Sequence, residues 1–217
     1  MTATAASSRS PIRLVCFDLG GVIVRICRSW QEGCRAAGLE VRELPLTGEL
    51  RHARRELLHA YEVGAIDRAS YGRQHSELID GLYAPEEVLA IEQAWLLGEY
   101  DGVDALIDRL HAGGLPTAAL SNTNEGHWSQ MDHRYPTVNL LQQRLASHLL
   151  GMRKPNREIF ETAESHFGVP GSAILYFDDL DDNIHAATAA GWRARRIDYR
   201  EPTAPQIERH LREHELI

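Results

Sequence analysis

Four short, separated segments of this 217-residue chain carry side chains that could take part in chemistry. They contain Asp18, the pair Ser121 and Asn122, Lys154, and the pair Asp178 and Asp179. Carboxylates that lie close together repel one another unless a cation neutralises them, and Mg²⁺ is often held by one or two carboxylates together with a substrate phosphate. A lysine adds a point charge that suits phosphate, and hydroxyl and backbone N–H groups donate hydrogen bonds to phosphate oxygens. This combination predicts a phosphoryl-transfer site that uses Mg²⁺.

Each segment follows an apolar run that predicts a buried strand. Residues 14–17 are too few for a helix and are uniformly apolar, which is typical of a strand in a parallel sheet. Further strands are predicted at 116–120, 144–150, 173–177 and 192–197. Parallel strands end at one edge of a sheet, where ligands bind, so the polar segments should converge there. Gly20 and Gly21, just after Asp18, would let a ligand approach the backbone.

Amphipathic stretches alternate with these strands from residue 103 onward. Helices are predicted from 103 to the Gly113-Gly114 pair and at 156–167, 182–190 and 206–215. Strands that alternate with helices form a parallel sheet covered on both faces. The predicted fold class is therefore α/β, with a Rossmann-like core.

The chain between the first and second strands has a different pattern. Helical spacing of apolar residues occurs at 30–37, 48–61, 68–79 and 85–97. In 48–61, one face carries Leu50, Ala53, Leu57 and Ala60, and the other face carries Arg51, Arg54, Arg55 and Glu56. We therefore predict a small all-α cap domain at 26–99. It is inserted into a core made of 12–25 and 100–217, and residues 1–11 form a loose tail.

The composition of the chain argues against some classes of binding partner. The formal net charge of −8 disfavours nucleic acid and anionic membranes as partners, and no apolar run has the length of a membrane span. The three cysteines lack metal-ligand spacing, which indicates reduced thiols. We expect a cytoplasmic protein, monomeric or homodimeric, whose partner is a small-molecule phosphate ester.

In this order, the four segments resemble the signature motifs of the haloacid dehalogenase-like hydrolase superfamily. They read FDLGGV at 17–22, LSNTN at 120–124, GMRKP at 151–155, and YFDD at 176–179 with DN at 182–183. The first and third motifs are most similar to the sugar-phosphate phosphatase branch, which includes bacterial α-glucose-1-phosphate phosphatases and the phosphatase domain of soluble epoxide hydrolase. The resemblance implies a Mg²⁺-dependent phosphatase with a helical cap.

The resemblance also implies catalytic and phosphate-binding roles. Asp18 corresponds to the nucleophile that becomes an aspartyl phosphate. Ser121 and the main chain of Asn122 correspond to the phosphate-binding pair. Lys154 corresponds to the lysine that balances the charges of the nucleophile and the phosphate.

The metal ligands follow from the same resemblance. Asp18, the backbone carbonyl of Gly20 and Asp179 would hold Mg²⁺. Asp178 and Asn183 would orient these ligands or the waters around the metal.

One position departs from the pattern of most phosphatases in the superfamily. They have an acidic residue two positions after the nucleophile that acts as general acid and base, and Gly20 occupies this position. General acid–base catalysis contributes about 10²–10⁴-fold in rate. A histidine could replace the missing acid, and the candidates are His127 and, in the cap, His52 and His59. Trp30 and Trp95 are expected to pack the cap.

Two other functions fit the same motifs. A 2-haloacid dehalogenase also attacks with an aspartate and lacks the second acid, but it needs no metal, whereas Asp178 and Asp179 suggest one. A catalytically weakened protein that binds phosphate esters is the second alternative. Intact Asp18, Lys154 and Asp179 argue against it.

Overall fold

A five-stranded parallel sheet lies at the centre of the computed structural model, which describes residues 11–44 and 47–217. The strands are β1 (Leu14–Phe17), β2 (Val24–Ile26), β3 (Leu96–Glu99), β4 (Thr117–Ser121), β5 (Gln143–Ala146), β6 (Ile174–Asp178) and β7 (Arg193–Arg196). The order in the sheet is β5-β4-β1-β6-β7, so β1 is central. The predicted tail lies outside the described residues except for Pro11.

The described residues also form eleven α-helices. These are α1 (Trp30–Ala36), α2 (Gly48–Glu62), α3 (Arg68–Leu78), α4 (Pro85–Gln93), α5 (Val103–Ala112), α6 (Glu125–Arg134), α7 (Pro136–Asn139), α8 (Ser147–Leu150), α9 (Arg157–Phe167), α10 (Asp181–Ala189) and α11 (Thr203–Glu213). None of the helices in the described part of the chain is both long and apolar enough to cross a membrane.

Helices cover both faces of the sheet because side chains alternate along each strand. Val15 and Phe17 of β1 belong to a buried cluster with α5 and α11, whereas Leu14 and Cys16 belong to a second cluster with α9 and α10. All four β1 side chains are fully buried, as predicted for a central parallel strand. The predicted Rossmann-like α/β core is therefore confirmed.

The four helices α1 to α4 form what we call the helical insert, residues 30–93. They share a third buried cluster, separate from the two clusters of the sheet, that includes Leu57, Tyr61, Tyr83 and Ile91. The insert also contacts the core through hydrogen bonds. Ser147 Oγ donates to the Glu62 carbonyl at 2.6 Å, and His127 Nε2 lies 2.7 Å from the Glu92 carbonyl.

Two strands at the base of the insert were missed by the sequence pattern. β2 and β3 pair antiparallel, so the predicted helix at 85–97 is wrong beyond Gln93, where α4 ends. The leucines at 96 and 97 continue the helical apolar pattern in the sequence. In the fold, however, Val24 pairs with Glu99 and Arg25 pairs with Gly98. A tertiary partner outweighs local propensity here.

Two further predictions need correction. Residues 144–150 are not a single strand, because β5 ends at Ala146 and the short helix α8 follows. Arg54 does not belong to the outer face of α2. Its side chain contacts His75 and Trp30 inside the insert.

Candidate active site

Three carboxylates meet at the carboxyl edge of the sheet. Asp18 follows β1, and Asp178 ends β6, the neighbouring strand, with Asp179 next in the chain. One carboxylate oxygen from each residue lies within 4.8 Å of the others, and all three residues are buried. The predicted convergence of the first and fourth motifs is therefore present.

Asp18 is held by the backbone and by Lys154. Its Oδ1 accepts hydrogen bonds from the Leu19 N–H at 2.7 Å and from Lys154 Nζ at 3.0 Å, which leaves Oδ2 without a donor among the described residues. Burial raises the pKa of Asp18 to about 7. Lys154 opposes this rise, and the charges of Asp178 and Asp179 add to it.

Lys154 is fully enclosed by partners. Its Nζ lies 3.0 Å from Asp18 Oδ1, 2.8 Å from Asp178 Oδ2 and 2.8 Å from the Tyr176 hydroxyl. Burial lowers the pKa of Lys154, but Asp178 and Asp18 outweigh that effect and raise the pKa to about 12. The lysine therefore stays charged and links the first, third and fourth motifs.

The side chain of Asn122 fixes the backbone of Lys154. Its Oδ1 accepts from the Lys154 N–H at 2.8 Å, and its Nδ2 donates to the Lys154 carbonyl at 2.9 Å. Ser121, at the end of β4, is 2% exposed and lies beside β1 in the sheet. The second motif thus holds the third in place and also borders the site.

Asp178 has protein partners for both of its oxygens. Oδ1 accepts from the Leu180 N–H and from Asn183 Nδ2, while Oδ2 accepts from Lys154, Asn183 and the Tyr176 hydroxyl. Burial raises the pKa of Tyr176, so its hydroxyl stays protonated and donates to Asp178. These contacts suit an orienting role for Asp178 and Asn183 better than direct metal ligation.

Asp179 has a different environment. Its Oδ2 forms an ion pair with Arg28 Nη1 at 2.6 Å, and the Arg28 guanidinium stacks on the Tyr199 ring at 3.6 Å. Burial raises the pKa of Asp179, and Arg28 opposes this rise. Gly21 lies against the pair with φ +79°, and a Cβ at this position would come within 2.3 Å of Asp179 Oδ2. Glycine is therefore required for both the backbone conformation and the close approach.

The donor set fits a divalent cation. Asp18 Oδ2, Asp179 Oδ1 and the Gly20 carbonyl are oxygens, the ligand type that Mg²⁺ prefers, and none accepts a hydrogen bond within the described part of the chain. The three carboxylates carry more negative charge than Lys154 and Arg28 neutralise.

A cavity of about 340 Å³ lies between the sheet edge and the helical insert. Gly20, Ser121 and Asn122 line it from the core. The lining from the insert and its surroundings includes Trp30, Arg54, Arg55, Tyr71, His75, Glu62, Glu92 and Trp95. Trp30 and Trp95 also pack against the buried cluster of the insert. This volume falls in the range of small-molecule sites.

The three histidines named as alternative acids differ in location. His127 lines the cavity and faces the carbonyl and the carboxylate of Glu92. His52 is exposed, and His59 lies beside Glu56; neither lines the cavity.

Three contacts of the site were not expected from the sequence. Tyr176 carried a signal, because residues two apart in a strand point to the same face, so Tyr176 must accompany Asp178. No signal in the sequence predicted the side-chain role of Asn122 or the contact of Arg28 with Asp179. Both contacts join residues that are distant in sequence.

Comparison with known proteins identifies related sequences. The model of the haloacid dehalogenase-like hydrolase family matches residues 12–191. The chain is also similar to Phosphatase MT3486 of Mycobacterium tuberculosis (strain CDC 1551 / Oshkosh), with 31% identity over 67 residues. That match spans 31% of this chain and 31% of the mycobacterial protein.

Solved structures share the fold. The HAD family enzyme bt-2542 from Bacteroides thetaiotaomicron superposes with a TM-score of 0.76 at 19% identity, covering 91% of this chain and 99% of that chain. Its complex with magnesium and inorganic phosphate superposes with a TM-score of 0.70 at 20% identity, covering 88% and 96%. The L-2-haloacid dehalogenase from Xanthobacter autotrophicus, with chloropropionic acid covalently bound, has a TM-score of 0.62 at 18% identity, covering 95% and 84%.

Proposed function

Because this chain belongs to the haloacid dehalogenase-like hydrolase family, we propose that it is a Mg²⁺-dependent phosphatase acting on a small phosphorylated metabolite, a sugar phosphate. One observation carries this proposal. Asp18 and Asp179, each with a carboxylate oxygen that accepts from no donor among the described residues, lie together beside Lys154 at the sheet edge. A bound Mg²⁺ would neutralise the phosphate and the carboxylates.

The reaction would proceed in two steps at Asp18. A carboxylate oxygen would attack phosphorus, and the bond to the ester oxygen would break with its electron pair on that oxygen. An aspartyl phosphate forms, and the departing oxygen takes a proton from solvent to leave as the alcohol. Water then attacks the phosphorus of this intermediate, which releases inorganic phosphate and regenerates the carboxylate. Lys154 would balance negative charge throughout, and Ser121 and the Asn122 N–H, whose residues line the cavity, would bind the phosphate oxygens.

The polar atoms that line the cavity favour a substrate whose leaving group carries several hydroxyls. Three of its lining residues have buried polar atoms without a hydrogen-bond partner among the described residues: Trp30 Nε1, Glu92 Oε1 and Thr123 Oγ1. A buried polar group without a hydrogen bond is costly, and sugar hydroxyls would supply partners. The similarity of the FDLGGV and GMRKP motifs to the sugar-phosphate branch points the same way.

We further propose that residues 26–99 act as a cap over this site, because the insert supplies much of the cavity lining. The partner is then a small molecule and not a nucleic acid or a membrane, consistent with the net charge of −8. These assignments fit a cytoplasmic monomer or homodimer.

A second candidate function is metal-free 2-haloacid dehalogenation. The Arg28–Asp179 ion pair favours it, because a guanidinium at 2.6 Å supplies positive charge without a metal. Gly20 is also compatible with it, since halide departure needs no proton.

A screen of both reactions tests the proposal. Sugar phosphates and other phosphorylated metabolites are incubated with Mg²⁺ and scored for phosphate release, and 2-haloacids are scored for halide release. We expect phosphate release that EDTA abolishes, and Asp179→Ala should raise the Mg²⁺ requirement. Halide release in the presence of EDTA would contradict the phosphatase proposal and support 2-haloacid dehalogenation. Binding of esters without either product would indicate a protein that has lost turnover.

A further inference from the structure

A positively charged side chain of the helical insert lines the cavity beside the candidate active site. Gly20, Ser121 and Asn122 border it from the core, and Arg54 of α2 borders it from the helical insert. Arg54 is therefore in contact with the same volume as the groups that we assign to phosphate.

Arg54 has no carboxylate partner. Its Nε donates to His75 Nε2 at 2.9 Å, and its guanidinium lies 4.7 Å from the Trp30 ring centre. Neither Nη atom donates a hydrogen bond, and no Asp or Glu pairs with it, among the described residues. Burial lowers the pKa of Arg54, since the charge has lost water without gaining a counter-ion.

The other arginines that join elements of the insert behave differently. Arg42 pairs with Glu87, Arg68 pairs with Glu92, and Arg153 of the core pairs with Glu62. Arg54 is half-buried, and a charge that loses part of its water without gaining a partner is costly. Unlike these three arginines, Arg54 has no carboxylate partner in the described part of the chain.

His75 orients the guanidinium. It is 3% exposed, and its Nε2 accepts from Arg54, so the ring proton is on Nδ1, which lies 3.1 Å from the Tyr71 hydroxyl. A neutral acceptor at Nε holds the plane of Arg54 without neutralising its charge. Both Nη groups remain available to a planar, two-oxygen acceptor.

We propose that the cavity selects phosphate esters that carry a second anionic group, a carboxylate or a second phosphate, which pairs with Arg54 while the scissile phosphate lies at Asp18. This inference rests on the proposed phosphatase function, because it uses the phosphate end to orient the ligand. It names the substrate class more narrowly, as an acidic sugar phosphate or a sugar bisphosphate.

Equilibrium binding tests the proposal separately from turnover. Calorimetric titration of the Asp18→Asn variant, with Mg²⁺ present, uses three matched ligands: glucose 1-phosphate, glucuronic acid 1-phosphate and glucose 1,6-bisphosphate. The ligands differ only at C6, which is neutral, carboxylate or phosphate. We expect the better of the two ligands with an anionic group at C6 to bind at least about tenfold more tightly than glucose 1-phosphate. The ligand that binds more tightly shows whether the cavity binds a carboxylate or a second phosphate.

Adding Arg54→Gln should remove this preference while changing glucose 1-phosphate binding less than about threefold, and Arg54→Lys should restore part of it. Arg55→Gln is the matched control, because Arg55 is the next residue of α2, lines the same cavity and is exposed. It should change the preference little.

Equal affinity for all three ligands, or equal weakening of all three by Arg54→Gln, overturns the inference. Loss of the preference in Arg55→Gln and not in Arg54→Gln also overturns it. Phosphate release by the wild-type protein is measured in parallel. Its absence contradicts the phosphatase proposal, whereas an Arg54-dependent preference in binding would still support the anion site.

Discussion

Charge balance is the main physical feature of the residues around Asp18. Three buried carboxylates face two cations, Lys154 and Arg28. Desolvated charges are costly unless they are paired. Burial raises the pKa of Asp18, and the charges of Asp178 and Asp179 add to this rise. A divalent cation would correct the charge imbalance.

Asp18→Asn should abolish turnover and leave the protein folded, because the amide has nearly the same shape but is a poor nucleophile. We expect kcat to fall by more than about a thousandfold. Phosphate release is measured beside circular dichroism, which confirms that the variant is folded. Activity above about one per cent of wild type would show that another group attacks phosphorus.

Arg28→Ala should tighten Mg²⁺ binding by about tenfold, since the guanidinium on Asp179 Oδ2 competes with the metal for this carboxylate. Isothermal titration with MgCl₂ measures the affinity without any need for turnover. Arg25→Ala is the matched control, because the Arg25 guanidinium lies over the Tyr100 ring and contacts no carboxylate of the site. If Arg28→Ala weakens Mg²⁺ binding, the arginine supports the metal site instead of competing with it.

At the scale of elements, helices α2 and α3 are joined by a polar chain from Arg54 through His75 to Tyr71. Burial and the charge of Arg54 lower the pKa of His75 to about 3, well below the ordinary value of 6.5. Between these values the unfolded chain binds a proton that the folded chain does not bind. The contribution of His75 to stability is therefore complete above about pH 6.5 and is lost as the pH falls toward about 3.

His75→Gln should make the free energy of unfolding less dependent on pH within this window. The slope should decrease by up to about 1.4 kcal/mol per pH unit, the value for one proton. Urea unfolding at a series of pH values measures it, and His52→Gln removes an exposed histidine of α2 as the control. Equal slopes in wild type and His75→Gln would contradict a neutral His75 in the fold.

At the scale of the whole molecule, the core and the insert supply different parts of the proposed chemistry. The core carries Asp18, Asp179 and Lys154, whereas Gly20 supplies no acidic side chain two positions after the nucleophile. Other acids of the cavity lie away from that position: Glu62 and Glu92 belong to the insert, and His127 lies against Glu92. A side chain that protonates the leaving group would therefore have to come from the insert or from its contact with the core.

For esters of matched size, log kcat/KM should rise as the pKa of the departing alcohol falls, because no side chain at position 20 can protonate it. Anomeric and aryl phosphates should react faster than primary alkyl phosphates. Gly20→Asp should flatten this dependence. A Cβ at position 20 would lie 3.2 Å from Ile26 Cδ1, the movable end of a side chain, so the variant can be accommodated. A flat dependence in wild type would show that another acid protonates the alcohol, and His127→Gln would then test a histidine that lines the cavity.

The sequence alone determined the α/β class and the convergence of the polar segments. This was possible because a parallel sheet forces strand ends to one edge, and the local composition of residues 14–17 is typical of a buried parallel strand. The motif residues Asp18, Lys154, Asp178 and Asp179 were predicted to meet for the same reason, and they do. Their catalytic roles remain predictions until the variants are measured.

Only the tertiary structure decided the partners of individual side chains. The β2–β3 pair, the Arg28–Asp179 ion pair and the inward position of Arg54 all depend on residues that are distant in sequence. Helical periodicity placed Arg54 on the polar face of α2, which is correct for an isolated helix. In the structure Arg51, Arg55 and Glu56 of that face are exposed, whereas Arg54 packs inward against His75 and Trp30. Local sequence specifies which residues share a face, but packing decides whether that face meets water, a neighbouring side chain or a cavity.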